Sequence, residues 1–166
     1  MRWRNRNTGK GFSLIELTVA TAIFSMGLGG LSMLMLTAIR GTVDARHQTV
    51  ATAQAFSLAE MIIMNSDAVG HYIDPTPLDP DACLEALCSD EAMAAGNWSF
   101  WQAQLQRELP GSKGLVCRDS TPDDGYADDP SCDGAGGLVI KIFWSEPQVN
   151  MDEDDGLQRL VSRLSW

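Results

Sequence analysis

At 166 residues and a formal charge of −10, the chain has room for one small folded domain at most, once any membrane-crossing residues are set aside. The charge is uneven, with Arg2, Arg4, Arg6 and Lys10 in the first ten residues and Asp and Glu dominating the second half. A basic start is retained at an anionic cytoplasmic face, and the acidic remainder argues against direct contact with nucleic acid.

From Phe12 to Ile39 the single formal charge is Glu16. At a rise of about 1.5 Å per residue this stretch exceeds a hydrocarbon core of about 30 Å, so it is long enough to span a bilayer. A secretory signal peptide has a shorter apolar run and a small-x-small cleavage site just after it. Here Ala51-Thr52-Ala53 has suitable residues, but Arg40, Asp44, Arg46 and His47 separate it from the apolar run.

No proline occurs between Met1 and Ile73. Beyond Ile39, Val43, His47, Val50, Gln54, Leu58 and Met61 recur at helical spacing, flanked by Ala51, Ala55 and Ile62. The spacing predicts one helix continuing to about Asn65, apolar all round in its first half and amphipathic in its second. Gly27, Gly29 and Gly30 weaken the first half. Pro75, Pro77 and Pro80 end the rod.

A loop with Cys83 and Cys88 follows. Between Asp90 and Leu109, the positions Met93, Trp98, Trp101, Leu105 and Leu109 suggest one broken or two short helices, with Asn97 as a cap and Pro110-Gly111 as a stop. Strand patterns then take over at Gly114 to Arg118, Leu138 to Trp144 and Leu160 to Trp166. The expected fold class is α+β: a long helix whose amphipathic half carries a small antiparallel sheet of three or four strands. The expected divisions are 1–11, a basic leader; 12–39, the apolar helix; 40–65, its amphipathic continuation; and 66–166, the folded domain.

Four cysteines, Cys83, Cys88, Cys117 and Cys132, all lie beyond the apolar segment and can pair in three ways. Their spacings do not form the close pairs of a zinc site, and His47 and His71 are far upstream, so disulfides in an exported domain are expected. Asp119, Asp123, Asp124, Asp128, Asp129 and Asp133, with Asp152, Glu153, Asp154 and Asp155, invite a calcium reading. Placing Gly125 or Gly156 at the sixth position of a calcium loop puts Ser120 or Met151 at the first, so a solvated acidic surface is expected and no metal. Trp98, Trp101, Phe143, Trp144 and Trp166 fall at helical or strand spacing, which points to core before any aromatic binding platform. No GxSxG, P-loop, HExxH or His/Cys constellation is present, so neither an enzyme nor a cofactor is expected.

Lys10-Gly11-Phe12-Ser13-Leu14-Ile15-Glu16 resembles the signal of type IV prepilins and type II secretion pseudopilins. The resemblance implies that a membrane-embedded prepilin peptidase cuts between Gly11 and Phe12 and methylates the new amine of Phe12. It also implies that Glu16 pairs with that amine on a neighbouring subunit. A carboxylate near the start of a membrane helix costs a few kcal/mol without a partner, so such a pair gives axial register.

Ala82-Cys83, the Trp98 and Trp101 helix running into Leu109-Pro110-Gly111, and Cys117 to Gly125 ahead of the Val139 to Trp144 strand resemble the PilV type of minor pilin. This implies a low-copy subunit of the pilus, held first in the inner membrane with its domain in the periplasm. Its implied partners are other minor pilins, major pilin and a tip adhesin, and its implied roles are priming of pili, adhesion and twitching motility. Closing the loop from Cys117 to Cys132 contributes roughly 3 kcal/mol in the chain-entropy model, which favours that pair and leaves Cys83 with Cys88. A bridge from Cys83 to Cys117 or Cys132 would contradict this pairing.

Overall fold

The computed structural model describes residues 11–73, 75–76, 88–146 and 157–164. Helix α1 (Leu14–Met64) begins where the Ser13 carbonyl accepts the amides of Glu16 and Leu17 at 3.1 and 3.2 Å. It runs without a break through Gly27, Gly29 and Gly30, as the absence of proline allows. The chain divides into two compact units, one ending at Val43 and one beginning at Asp44.

In the first unit every described residue from Gly11 to Val43 is exposed. The stretch is apolar and long enough to cross a membrane, and none of its most apolar window is buried within the chain. Its hydroxyls are satisfied locally. Thr18 donates to the Ile15 carbonyl at 2.9 Å, Ser25 to Thr21 at 2.7 Å, Ser32 to Leu28 at 2.9 Å and Thr37 to Met33 at 3.0 Å. Such back-bonding is how a helix carries serine and threonine where no water is available.

In the second unit α1 buries Ala51, Ala55, Leu58 and Ile62. This stripe is rotated from the expected line, since Val43 is 42% exposed and Val50 and Met61 only half-buried. Two alanines let other elements approach the helix backbone, so small residues rather than the bulkier aliphatics centre the contact. Asn65 leaves helical geometry at φ −126°, ψ 50°, and its side-chain amide donates to the Asp90 carbonyl at 2.8 Å. The chain then makes a 3-10 turn (Ser66–Ala68) and the short helix α2 (Val69–Ile73). Tyr72 of α2 is fully buried, donating to the Met61 carbonyl at 3.3 Å and accepting from Asn97 at 3.1 Å.

Helix α3 (Asp90–Glu108) is continuous rather than broken. Its cap is Ser89, whose hydroxyl accepts the Ala92 amide at 3.2 Å, and Asp90 and Glu91 complement the positive end of the helix dipole. Asn97 lies inside the helix and is spent on Tyr72, which is why it does not cap. Trp101 is buried, and its indole donates to the Gln54 carbonyl of α1 at 2.8 Å. The ring lies on Gly114, where an added Cβ would collide with it.

Strands β1 (Lys113–Asp119), β2 (Gly137–Ser145) and β3 (Leu157–Leu164) form an antiparallel sheet in the order β1-β2-β3. β3 starts three residues earlier than its alternation suggested, and Ser165 and Trp166 lie outside the described residues. Val116, Leu138, Ile140, Ile142 and Trp144 join the helices in one core, with Leu160 and Leu164 packed against it. The opposite face carries Leu115, Cys117 and Asp119, then Val139, Lys141 and Phe143, then Arg159, Val161 and Arg163, as the register requires. The segment from Ser120 to Gly136 covers that face, so β2 is buried on both sides from Leu138 to Trp144. The fold is α+β and pilin-like: a long amino-terminal helix packed with a three-stranded antiparallel sheet.

Candidate functional site

Gly11, Phe12 and Ser13 precede α1, and Glu16 sits in its first turn. Phe12 is 84% exposed, and no described residue of the chain shields the peptide bond between Gly11 and Phe12. A carboxylate in the first turn is favoured by the helix dipole. It is also the one formal charge before Arg40 on a helix half that exposes Leu14, Ile15, Leu17, Ile23 and Phe24. That half can bury its surface only against lipid or against other molecules. Residues 1–10, including Lys10, lie outside the described residues.

Residues 6–32 match the family model described as the prokaryotic N-terminal methylation motif. The motif indicates a type IV pilin-like protein. It implies processing by a prepilin peptidase and assembly with other pilins, and together with the long apolar helix it implies membrane anchoring. It points to a structural protein rather than an enzyme. No curated protein and no solved structure matches the chain.

The second cluster of sequence-selected residues lies on the far face of the pilin-like domain's sheet. Cys117 and Cys132 are joined by a disulfide with Cα atoms 6.3 Å apart. Cys88 is disulfide-bonded, and Cys83 lies outside the described residues. Beneath the loop, Lys141 is fully buried, with its ammonium 2.5 Å from Asp119, 2.7 Å from the Pro130 carbonyl, and 3.2 and 3.3 Å from the carbonyl and carboxylate of Asp124. The hydrogen bond from Lys141 holds the Asp119 carboxyl below its usual range, against burial, which pushes it up.

Two further acids of the loop, Asp133 and Asp123, have partners within the domain. Asp133 accepts from the hydroxyl and amide of Ser120 and from the Ala135 amide, and the Ser120 hydroxyl above all lowers its pKa. Asp123 pairs with Arg163 at 3.2 Å, and Arg159 donates to the Asp123 and Gly125 carbonyls. Gly125 has φ +82°, and an added Cβ would collide with the Pro130 carbonyl. Asp152 to Asp155 lie outside the described residues.

Cys117, Asp119 and Cys132 bring potential ligand atoms within 4.8 Å of one another. Both sulfurs are spent in the bridge and the carboxylate is spent on Lys141, so the trio does not suit a metal. Trp101, Phe143 and Trp144 are buried, Trp98 packs half-buried on the core, and Trp166 lies outside the described residues, so the described tryptophans build core. Sequence reasoning missed the buried cation. The available signal was one lysine inside the apolar run from Leu138 to Trp144.

A third group, also missed, joins α1 to the end of β2. His47 Nδ1 is 2.9 Å from Glu146 Oε1, and the Trp144 indole donates to the same oxygen at 2.9 Å. Asp44 shares a side-chain hydrogen bond with Glu146, which raises the Asp44 pKa. Burial pushes Glu146 upward, but the combined bonds from Trp144, His47 and Asp44 hold it below its ordinary value.

Proposed function

We propose that this chain is a minor pilin of the type IV pilus that helps prime or modify pilus assembly, in support of adhesion and twitching motility. The observation that carries the reading is Glu16, a lone carboxylate in the first turn of a helix whose first half, to Val43, exposes its apolar surface throughout, within the stretch that matches the methylation motif. In this reading residues 1–11 are the leader, and a prepilin peptidase cuts after Gly11 and methylates the amine of Phe12. Residues 12–39 hold the chain in the inner membrane and later in the filament core. Residues 40–65 continue the helix, and 66–166 form a periplasmic domain that reaches the cell surface in the pilus. Glu16 pairs with the Phe12 amine of a neighbouring subunit, where a charge left unpaired disfavours a wrong register.

The resemblance of the second half to PilV-type subunits supports the minor role, with other minor pilins, major pilin and a tip adhesin as partners. Cys83 closes the short loop with Cys88, consistent with the bonded state of Cys88.

Mass spectrometry of the chain isolated from its own bacterium is expected to find a mature form beginning at methylated Phe12. Glu16→Leu is expected to abolish incorporation into filaments while leaving cleavage intact, and deletion of the gene to remove surface pili and twitching. Normal piliation after deletion, with secretion components co-purifying, would move the chain to the pseudopilins.

A further inference from the structure

We propose that the segment from Asp119 to Pro130 is a divalent-cation loop whose cation the chain itself supplies, with the Lys141 ammonium standing where a calcium ion would otherwise be needed. The centre of the loop is all oxygen. Asp119 Oδ2, Asp124 Oδ1 and the carbonyls of Asp124 and Pro130 lie 2.5, 3.3, 3.2 and 2.7 Å from Lys141 Nζ. Carboxylates joined by main-chain carbonyls are the donor set of a hard cation, and they suit calcium rather than zinc or a redox metal. An ammonium has three N–H bonds, yet oxygens converge on it from two carboxylates and two carbonyls. They coordinate a charge rather than pair one donor with one acceptor.

An acidic loop that served only as solvated surface would have no such centre. The side chains of Asp119 and Lys141 are both fully buried, and among the described residues the ammonium is the one partner of Asp119 Oδ2. The main chain is bent around the same point. Gly125 lies at φ +82° against Pro130, and Ser131, the residue after Pro130, lies at φ +53°, where side chains with a Cβ are uncommon. Arg159 and Arg163 bind the Asp123 and Gly125 carbonyls and the Asp123 carboxylate, so they do not neutralise the centre.

A cage of this kind collapses when its cation leaves, because the carboxylates and carbonyls then face one another. A free calcium ion leaves when its concentration outside the cell falls. The Lys141 ammonium cannot, since it is tethered to β2. The domain therefore keeps its loop closed whatever the calcium level around it, and Lys141 is the residue that makes it so.

The test is thermal melting of the full chain in detergent micelles, comparing the natural protein with Lys141→Val in calcium, in magnesium and in a chelator at matched ionic strength. Valine suits a strand and is too short to reach the position of the ammonium. The natural protein is expected to melt within about 1 °C of the same temperature in all three media. Lys141→Val is expected to melt well below it in chelator and to recover about 5 °C in about 10 mM calcium, as a site of roughly millimolar affinity would give. Magnesium demands a stricter octahedron and should restore much less. Adding Asp124→Ala to Lys141→Val should abolish the recovery. A calcium shift in the natural protein, equal shifts of the variant in both metals, no recovery, or recovery that survives Asp124→Ala would each overturn the proposal. If Lys141→Val has no melting transition in chelator, a transition that appears in calcium supports it. If none appears in calcium either, Lys141→Gln decides, since its side-chain carbonyl can serve as a further ligand. A calcium shift there supports the tethered cation, and its absence overturns it.

Discussion

The two units of this chain use apolar residues in opposite ways. In the first, Phe12 to Val43 exposes its large side chains from end to end. In the second, α1 turns small residues inward while Trp101, Ile140, Ile142 and Trp144 are almost completely buried. The first unit takes its stability from lipid or from other subunits, whereas the second takes it from its own core. A substitution in the second unit should therefore change melting without changing membrane attachment, and one at Glu16 should change filament incorporation without changing melting.

The largest break is expected at Lys141. Lys141→Met keeps roughly the volume but leaves Asp119 as a carboxylate without its ammonium, under a loop whose carbonyls also lose their donor. Removing one partner of a buried pair costs far more than the pair contributes. The melting temperature should fall by about 10 °C or more, while flotation with membranes stays unchanged. Below neutral pH the defect should shrink once Asp119 is protonated, because its lowered pKa means that the native pair favours the ionised form. An unchanged melting temperature would show that the loop does not depend on this cation.

Next in size is the staple above that cation. Replacing Cys117 and Cys132 together by serine opens a loop of sequence separation 15 and should cost about 3 kcal/mol in urea unfolding. A loss well below 1 kcal/mol would mean that the Lys141 cage holds the loop unaided.

These two predictions concern the part of the fold that was least legible in the sequence. Periodicity exposed α1 and the three strands because each repeats a local pattern over many residues. The prepilin-like signal was legible because Gly11, Phe12 and Glu16 are contiguous with the apolar run. What lies between distant segments was not. The loop from Ser120 to Gly136 read as a solvated acidic surface, and its acids are indeed exposed, but nothing local showed that the loop also covers the second face of β2 and that Asp124, Asp133 and Asp123 meet Lys141, Ser120 and Arg163. The contact between His47 and Glu146 likewise joins residues 99 positions apart, with no local pattern to announce it. The cap of α3 was misplaced because Asn97 and Ser89 are both good caps by type, and only Tyr72 decides between them.

The smallest effect is expected at Phe56, near the point on α1 where the two modes meet. On the second unit's part of α1, Phe56 is 65% exposed and Ile63 57% exposed, although Ala55 and Ile62, each one residue earlier, are buried. Phe56 thus resembles the first unit's side chains in exposure while lying beyond its boundary. Phe56→Ala removes no core contact and slightly favours the helix, so its effect on unfolding of the dilute chain should stay within about 0.5 kcal/mol. If the loss is larger and grows with protein concentration, Phe56 is covered by a second copy in solution. If it is larger and independent of concentration, Phe56 has an intramolecular contact, and the boundary between self-contained and externally stabilised surface lies farther along α1.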